Sequence, residues 1–170
     1  MPIVVIVEDG TGVADANSYM SVETVRQYAA NRGFTLSVDD DVVSAQLIRG
    51  FDYIETKECE FQGERVYAES AFPRIGVVIN GVEIAEDSIP NLLLAAQSQL
   101  VIAQSNGIDI MPNFVAGDYV VKEKVGPLET TFADPVLVGM GPKLGAVDAA
   151  LAPLFGRCAS PGIGLRTVRV

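Results

Sequence analysis

One segment, Pro90 to Asn106, carries a helical pattern that is apolar around most of its circumference, and it constrains the fold more than any other. Leu93, Ala96, Leu100 and Ala103 recur at helical spacing, and Leu92, Ala95, Val101 and Ile102 widen that stripe. A helix with so little solvent face must be enclosed by the rest of the chain, so it is expected at the centre. Asp87 or Ser88 is the expected N-cap, Pro90 fits the first turn, and Asn106-Gly107 ends the helix near Ser105.

The segments before it supply the packing partners. Asp41 to Thr56 reads as a second helix, with Val43, Leu47, Phe51 and Ile54 on one ridge and Ile48 beside it. Asp39-Asp40-Asp41 is read as capping and helix-dipole charge, not as a metal cluster. A loop with Phe61-Gln62-Gly63 and Phe72-Pro73-Arg74 leads to a hairpin over 76–84, where Val77-Val78-Ile79 meets Val82-Glu83-Ile84 across Asn80-Gly81. Asn-Gly suits the positive backbone angles of a type I′ turn. A lone hairpin is marginal in water, so its apolar residues have to pack on the helices or on a neighbour. Nearer the start, Ser21 caps a short helix with Val22, Val25, Tyr28 and Ala29 inward and Gly33 at its end. The opening run from Ile3 to Val7 suits a buried or partner-paired strand.

Beyond Ile108 glycine and proline recur, with strand-like pieces at Tyr119–Val125 and Leu128–Phe132 and a short helix at Val147–Leu154. The tail from Ser160 to Val170 alternates apolar and polar residues at its end, which fits either disorder or an arm added to another chain. The expected fold is mainly α: a small helical bundle with a β-hairpin and an extended C-terminal arm containing short strands. Residues 1–107 form the core, with the hairpin at 76–84, and 108–170 form the extended region.

Composition narrows the function. The net charge is −10, and the 12 Lys and Arg show no cluster beyond the thin C-terminal set Arg157, Arg166 and Arg169. Non-specific nucleic-acid binding rests on cations that displace phosphate counterions, so this balance disfavours it. Hydrophobic residues make up 49% of the chain against 20% charged, which fits a large core or surface covered by a partner. No apolar run approaches the roughly 20 residues a membrane span needs, and the start has no basic segment like that of a secretory signal.

Catalysis finds little support. There is no histidine, which removes the commonest general base. Cys59 and Cys158 match no metal or redox spacing. Gly139 to Gly145 lacks the Gly-Lys-Ser/Thr ending of a phosphate loop, and Gly10-Thr11-Gly12 lacks the rest of a dinucleotide site. No catalytic, cofactor or metal residue is nominated, and no enzyme is expected. Hydrolysis by paired carboxylates stays open, since 22 acidic residues allow many pairs and no spacing selects one.

Several motifs together resemble a known family. They are Val7-Glu8-Asp9-Gly10-Thr11-Gly12 with Ala14 to Tyr19, Leu47 to Ile54, Phe61-Gln62-Gly63 with Phe72-Pro73-Arg74, and Ile89-Pro90 opening an alanine-rich helix. This set is similar to tailed-phage head–tail connector (adaptor) proteins, many of which carry the label DnaT-like single-stranded-DNA-binding protein. Phe72 stands where that resemblance leads one to expect tryptophan. The resemblance implies a virion neck protein made in the host cytoplasm. It would be a homo-oligomeric ring of twelve copies, bound to the portal protein and to a downstream neck or tail protein, with DNA only as cargo in the channel. The acidic balance would suit such a channel wall, because like charges repel passing phosphates. The implied partner-binding residues are Ile163, Leu165, Arg166, Val168, Arg169 and Val170 in the tail and Val78, Asn80 and Gly81 in the hairpin. The alternative is the label taken literally, a single-stranded-DNA-binding replication protein.

Overall fold

The computed structural model describes residues 2–112, 122–125, 128–131 and 142–156. Its first helix, α1 (Val22–Ala30), begins at Ser21, whose hydroxyl accepts the Thr24 N–H. The second, α2 (Asp40–Glu55), begins at Asp39, whose carboxylate accepts the Asp41 N–H. Asp40 and Asp41 fall in its first turn, so the acidic triplet caps a helix as its position at the start of an apolar ridge implies.

The third helix, α3 (Asn91–Ser105), is the central one. One side of it packs Leu93, Ala96 and Leu100 against Phe51 and Ile54 of α2. Its other side packs Val101 and Ile102 against Val25, Ala29, Val43 and Leu47. Neither Asp87 nor Ser88 caps α3: the N-cap is Pro90, without a side-chain bond, and its carbonyl accepts from Leu93 and Leu94. Ser88 instead closes a turn onto the Ala85 carbonyl, two residues before the actual N-cap. At the other end Gly107, at φ 81°, lets the Ile108 N–H reach back to Ala103.

Gln97 and Ser98, which interrupt the apolar pattern, are fully buried in α3. Gln97 accepts the Tyr19 N–H at 3.0 Å and donates to the Ser18 hydroxyl and the Leu47 carbonyl. Its amide thus fastens the N-terminal segment and α2 to the central helix. Within the chain the run from Ile3 to Val7 does not form the buried strand that was one of its two expected forms. Ile3 and Val4 are exposed, and pairing is limited to a single parallel bridge between Val7 and Ser18. Asn17 takes the place of a partner strand: its side chain accepts from the Ile6 N–H and donates to the Val4 carbonyl.

The segment after α2 expected as loop contains a strand pair, β1 (Glu64–Arg65) with β2 (Arg74–Ile75). Arg74 is buried and its guanidinium gathers the carbonyls of Gln62, Gly63 and Ala71, with Glu58 as its ion partner. Such a hub satisfies carbonyls that no regular element serves. The expected hairpin follows as β3 (Val78–Ile79) and β4 (Val82–Glu83), with Asn80 at φ 52° and Gly81 at φ 81°. Val77 is buried beneath it, and Ile79 and Ile84 pack on the core.

Further on, β5 (Lys122–Val125) pairs antiparallel with β6 (Leu128–Thr131). Tyr119 to Val121 and Phe132, expected in the same strands, lie outside the described residues. The expected C-terminal helix is α4 (Gly145–Leu151), continued by a 3-10 turn at Ala152–Leu154. Leu144, Val147, Leu151 and Leu154 enter the same cluster as Phe51 and Leu100. The bundle expected as mainly α is therefore a small mixed fold: four helices with three two-stranded antiparallel pairs among the described residues. No helix among them is long and apolar enough to cross a membrane.

Candidate nucleic-acid interface

Of the nominated partner-binding residues, Val78, Asn80 and Gly81 stand exposed on the hairpin. Ile163, Leu165, Arg166, Val168, Arg169 and Val170 lie outside the described residues, as do Arg157, Cys158 and Gly139 to Gly141. Gly10-Thr11-Gly12 offers no free phosphate cradle. The buried Glu8 carboxylate already accepts the amides of Gly10 and Gly12 at 2.8 and 2.9 Å and that of Val13 at 2.8 Å.

The cations are mostly committed. Arg26 pairs with Asp40, Arg49 with Asp109, Lys57 with Glu60, and both Arg65 and Arg74 with Glu58. A second charged cluster is also internal: Tyr19 donates to Glu55 at 2.6 Å, and Glu55 accepts the Ala71 N–H at 3.0 Å. Burial pushes the Glu55 carboxyl up from its ordinary range, against the lowering effect of those two bonds. Burial and the neighbouring Glu55 charge raise the Tyr19 hydroxyl as well. This pair clamps the Ala71–Phe72 loop to α2, with Tyr19 buried and Glu55 half-buried.

Arg32 differs. It has no ion pair among the described residues, and its guanidinium lies over the Tyr28 ring, 3.4 Å from the centroid. One N–H donates to the Tyr28 carbonyl at 3.2 Å, which fixes the plane of the group. The end of α1 creates this arrangement. Gly33 takes a positive φ of 79°, and the Phe34 N–H returns to the Ala29 carbonyl, so the chain reverses just after Arg32. Tyr28 is held from beneath, since its hydroxyl accepts from Gln99 of α3 at 3.4 Å. Phe34, two residues beyond Arg32 in sequence, is 42% exposed.

The surrounding sequence carries no opposing charge. From Thr24 to Val38 there are two arginines, Tyr28 and Phe34, and no Asp or Glu. A planar cation over one ring, with an exposed ring nearby in sequence, offers the two groups that phosphate contact and base stacking need. Reading the chain for runs of basic residues passes over this edge, because its two arginines are six positions apart. The usable signal was the missing acids, in a chain with 22 of them.

No curated protein and no solved structure matches the chain. The family model described as "Putative DnaT-like ssDNA binding protein" matches residues 3–170. This match overturns the expected head–tail connector. The ring of twelve, the portal and neck partners and DNA as mere cargo give way to a family described by DNA binding itself. The net charge of −10 had weighed against DNA binding, but it is a whole-chain sum that does not fix the charge of each stretch: residues 24–38 hold two arginines and no acid. Across residues 3–170, the chain belongs to the family described as "Putative DnaT-like ssDNA binding protein".

Proposed function

We propose that the protein binds single-stranded DNA at the end of α1, with Tyr28, Arg32 and Phe34 as the contact residues and no chemical step of its own. The observation that carries this reading is the Arg32 guanidinium 3.4 Å over the Tyr28 ring, with exposed Phe34 two residues on, in a stretch of sequence without carboxylates. The family match supports it. Stacking on aromatic faces tolerates any base, so the binding is weakly sequence-dependent, and duplex DNA, whose base faces are covered, competes poorly.

The test is fluorescence anisotropy with a labelled oligothymidylate at low salt. Phe34→Ala is expected to weaken binding by about five- to a hundredfold, the loss of one stacked base. Arg32→Ala is expected to weaken it as well, while Arg49→Ala, which removes a cation already paired with Asp109, changes little. Absence of binding, or equal binding by all three variants, sinks the reading.

A further inference from the structure

Two Asn-Gly pairs, Asn80-Gly81 and Asn106-Gly107, lie exposed, and the fold leaves them chemically unlike. An asparagine followed by glycine can react with its own backbone. The glycine nitrogen attacks the asparagine Cγ, and a residue without a side chain does not hinder the approach. Whether this happens depends on what already engages that nitrogen and on how easily the backbone can turn.

At Asn106-Gly107 the nitrogen is committed. The Gly107 N–H donates to the Gln104 carbonyl at 2.9 Å, and the Asn106 N–H is shared between Ile102 and Ala103. The Ile108 N–H then closes the helix end onto Ala103. Turning the Asn106 backbone therefore unwinds the last turn of α3, just beyond buried Val101 and Ile102. At Asn80-Gly81 neither the Gly81 N–H nor the Asn80 carboxamide makes a hydrogen bond among the described residues. Nothing lies within 4 Å of where a Cβ on Gly81 would stand. Asn80 is kept at φ 52° by the pairing of Ile79 with Val82 and of Val78 with Glu83. Strands of two residues open locally at little cost.

We propose that Asn80 is a site of spontaneous covalent change, converting to aspartate and isoaspartate with water as co-reactant. In the first step the Gly81 nitrogen gives up its proton and bonds to Asn80 Cγ. The Cγ–Nδ2 bond breaks, and ammonia leaves with that proton, which closes a cyclic imide. Water then opens the ring. Cleavage between the nitrogen and Cγ gives aspartate; cleavage between the nitrogen and the main-chain carbonyl carbon gives isoaspartate, whose backbone runs through the former side chain. Either product adds a negative charge to a chain already at −10. Isoaspartate also lengthens the turn by one carbon, which a two-residue type I′ turn cannot absorb without losing the Ile79–Val82 register. The change reaches past the turn, because the Gln62 side chain accepts the Val78 N–H and donates to the Pro153 carbonyl.

The test incubates the full chain in warm, mildly alkaline buffer and follows both pairs by peptide mass mapping, with amide exchange read alongside. Asn80 is expected to convert about fivefold faster than Asn106 or more, since the Gly107 nitrogen must first give up a hydrogen bond. In urea the gap is expected to close. Protection at Ile79 and Val82 should fall as Asn80 converts. Asn80→Gly keeps a residue at home at positive φ and removes the carboxamide, so its protection should persist over the same period. Equal rates in the folded chain, a gap that persists in urea, or loss of protection in Asn80→Gly as in the wild type overturns the proposal.

Discussion

Gln97 shows how much one polar side chain can hold in an apolar helix. It is fully buried, and its amide contacts Tyr19, Ser18 and Leu47, residues from two separate segments. Gln97→Leu roughly keeps the volume but strands the Tyr19 N–H in the core, while the Leu47 carbonyl keeps its helical bond within α2. A loss of about 1–3 kcal/mol in urea unfolding is expected; a loss under about half a kcal/mol would show that the Tyr19 N–H finds another partner. Glu55 gives a pH signature. Its folded pKa is raised by burial, so the ionised form is the costly one. The favourable contribution is therefore complete below the unfolded carboxyl value and disappears as pH rises through the raised folded value. Compared with Glu55→Gln, the wild type should gain in relative stability as pH falls from 7 towards 4.5, read as the difference in urea midpoint. A difference that moves the other way would mean that the Tyr19 and Ala71 bonds outweigh burial. Neither residue's role was legible in the sequence, where Gln97 is a break in an apolar stripe and Glu55 lies off the apolar ridge of its helix. Both depend on partners many positions away, which spacing within one element does not reveal.

At the level of elements, what the sequence disclosed was what local chemistry decides. The Ser21 and Asp39 caps, the ridge from Val43 to Ile54, the Asn80-Gly81 turn and the Gly107 exit all follow from neighbours within a few residues. The β1–β2 pair escaped notice because its strands are two residues each and it is organised by Arg74, which gathers carbonyls from both sides. The α1 edge escaped for a related reason: it is made by a chain reversal, not by a run of like residues. Gly63 tests the strand pair. It sits at φ 67°, and a Cβ there would lie 1.9 Å from the Ile75 carbonyl oxygen. Gly33 has a similar φ of 79° but open space around it. Gly33→Ala is expected to cost about 1–2 kcal/mol, the left-handed penalty alone. Gly63→Ala adds a backbone collision and should cost about 2–4 kcal/mol. Thermal unfolding of the two variants separates strain from collision, and equal losses would mean that β1 and β2 can move apart freely.

For the molecule as a whole, charge sets the character of DNA binding. Each phosphate neutralised on a single strand contributes a slope of about −0.7 to the dependence of log K on log salt. The α1 edge offers Arg32 as its one cation free of an ion pair, so the local slope is shallow. Against it stands the repulsion of phosphates by a net charge of −10, which added salt screens. Affinity for oligothymidylate is therefore expected to be nearly flat between 50 and 200 mM salt, with a slope shallower than about −1. A steep slope would show that several cations beyond the α1 edge meet the strand.

The contact between residues 152–156 and the loop after α2 bears on the order in which the protein can be built. Phe155 bridges Phe61, the Gly156 N–H reaches the Glu60 carbonyl, and the Leu154 carbonyl accepts from Gln62, whose side chain in turn holds Val78. The hairpin's seat is thus completed by chain made long after the hairpin itself. At about 5–20 residues per second, a ribosome that has released α3 needs roughly 2–10 s more to deliver α4 and its 3-10 turn. During that interval Phe61, Phe72 and Leu100 lack the cover of Val147, Leu151 and Leu154. A nascent chain of this protein passes through a stage in which its central helix is in place and one wall of its core is missing, and that is the stage at which a chaperone has something to hold.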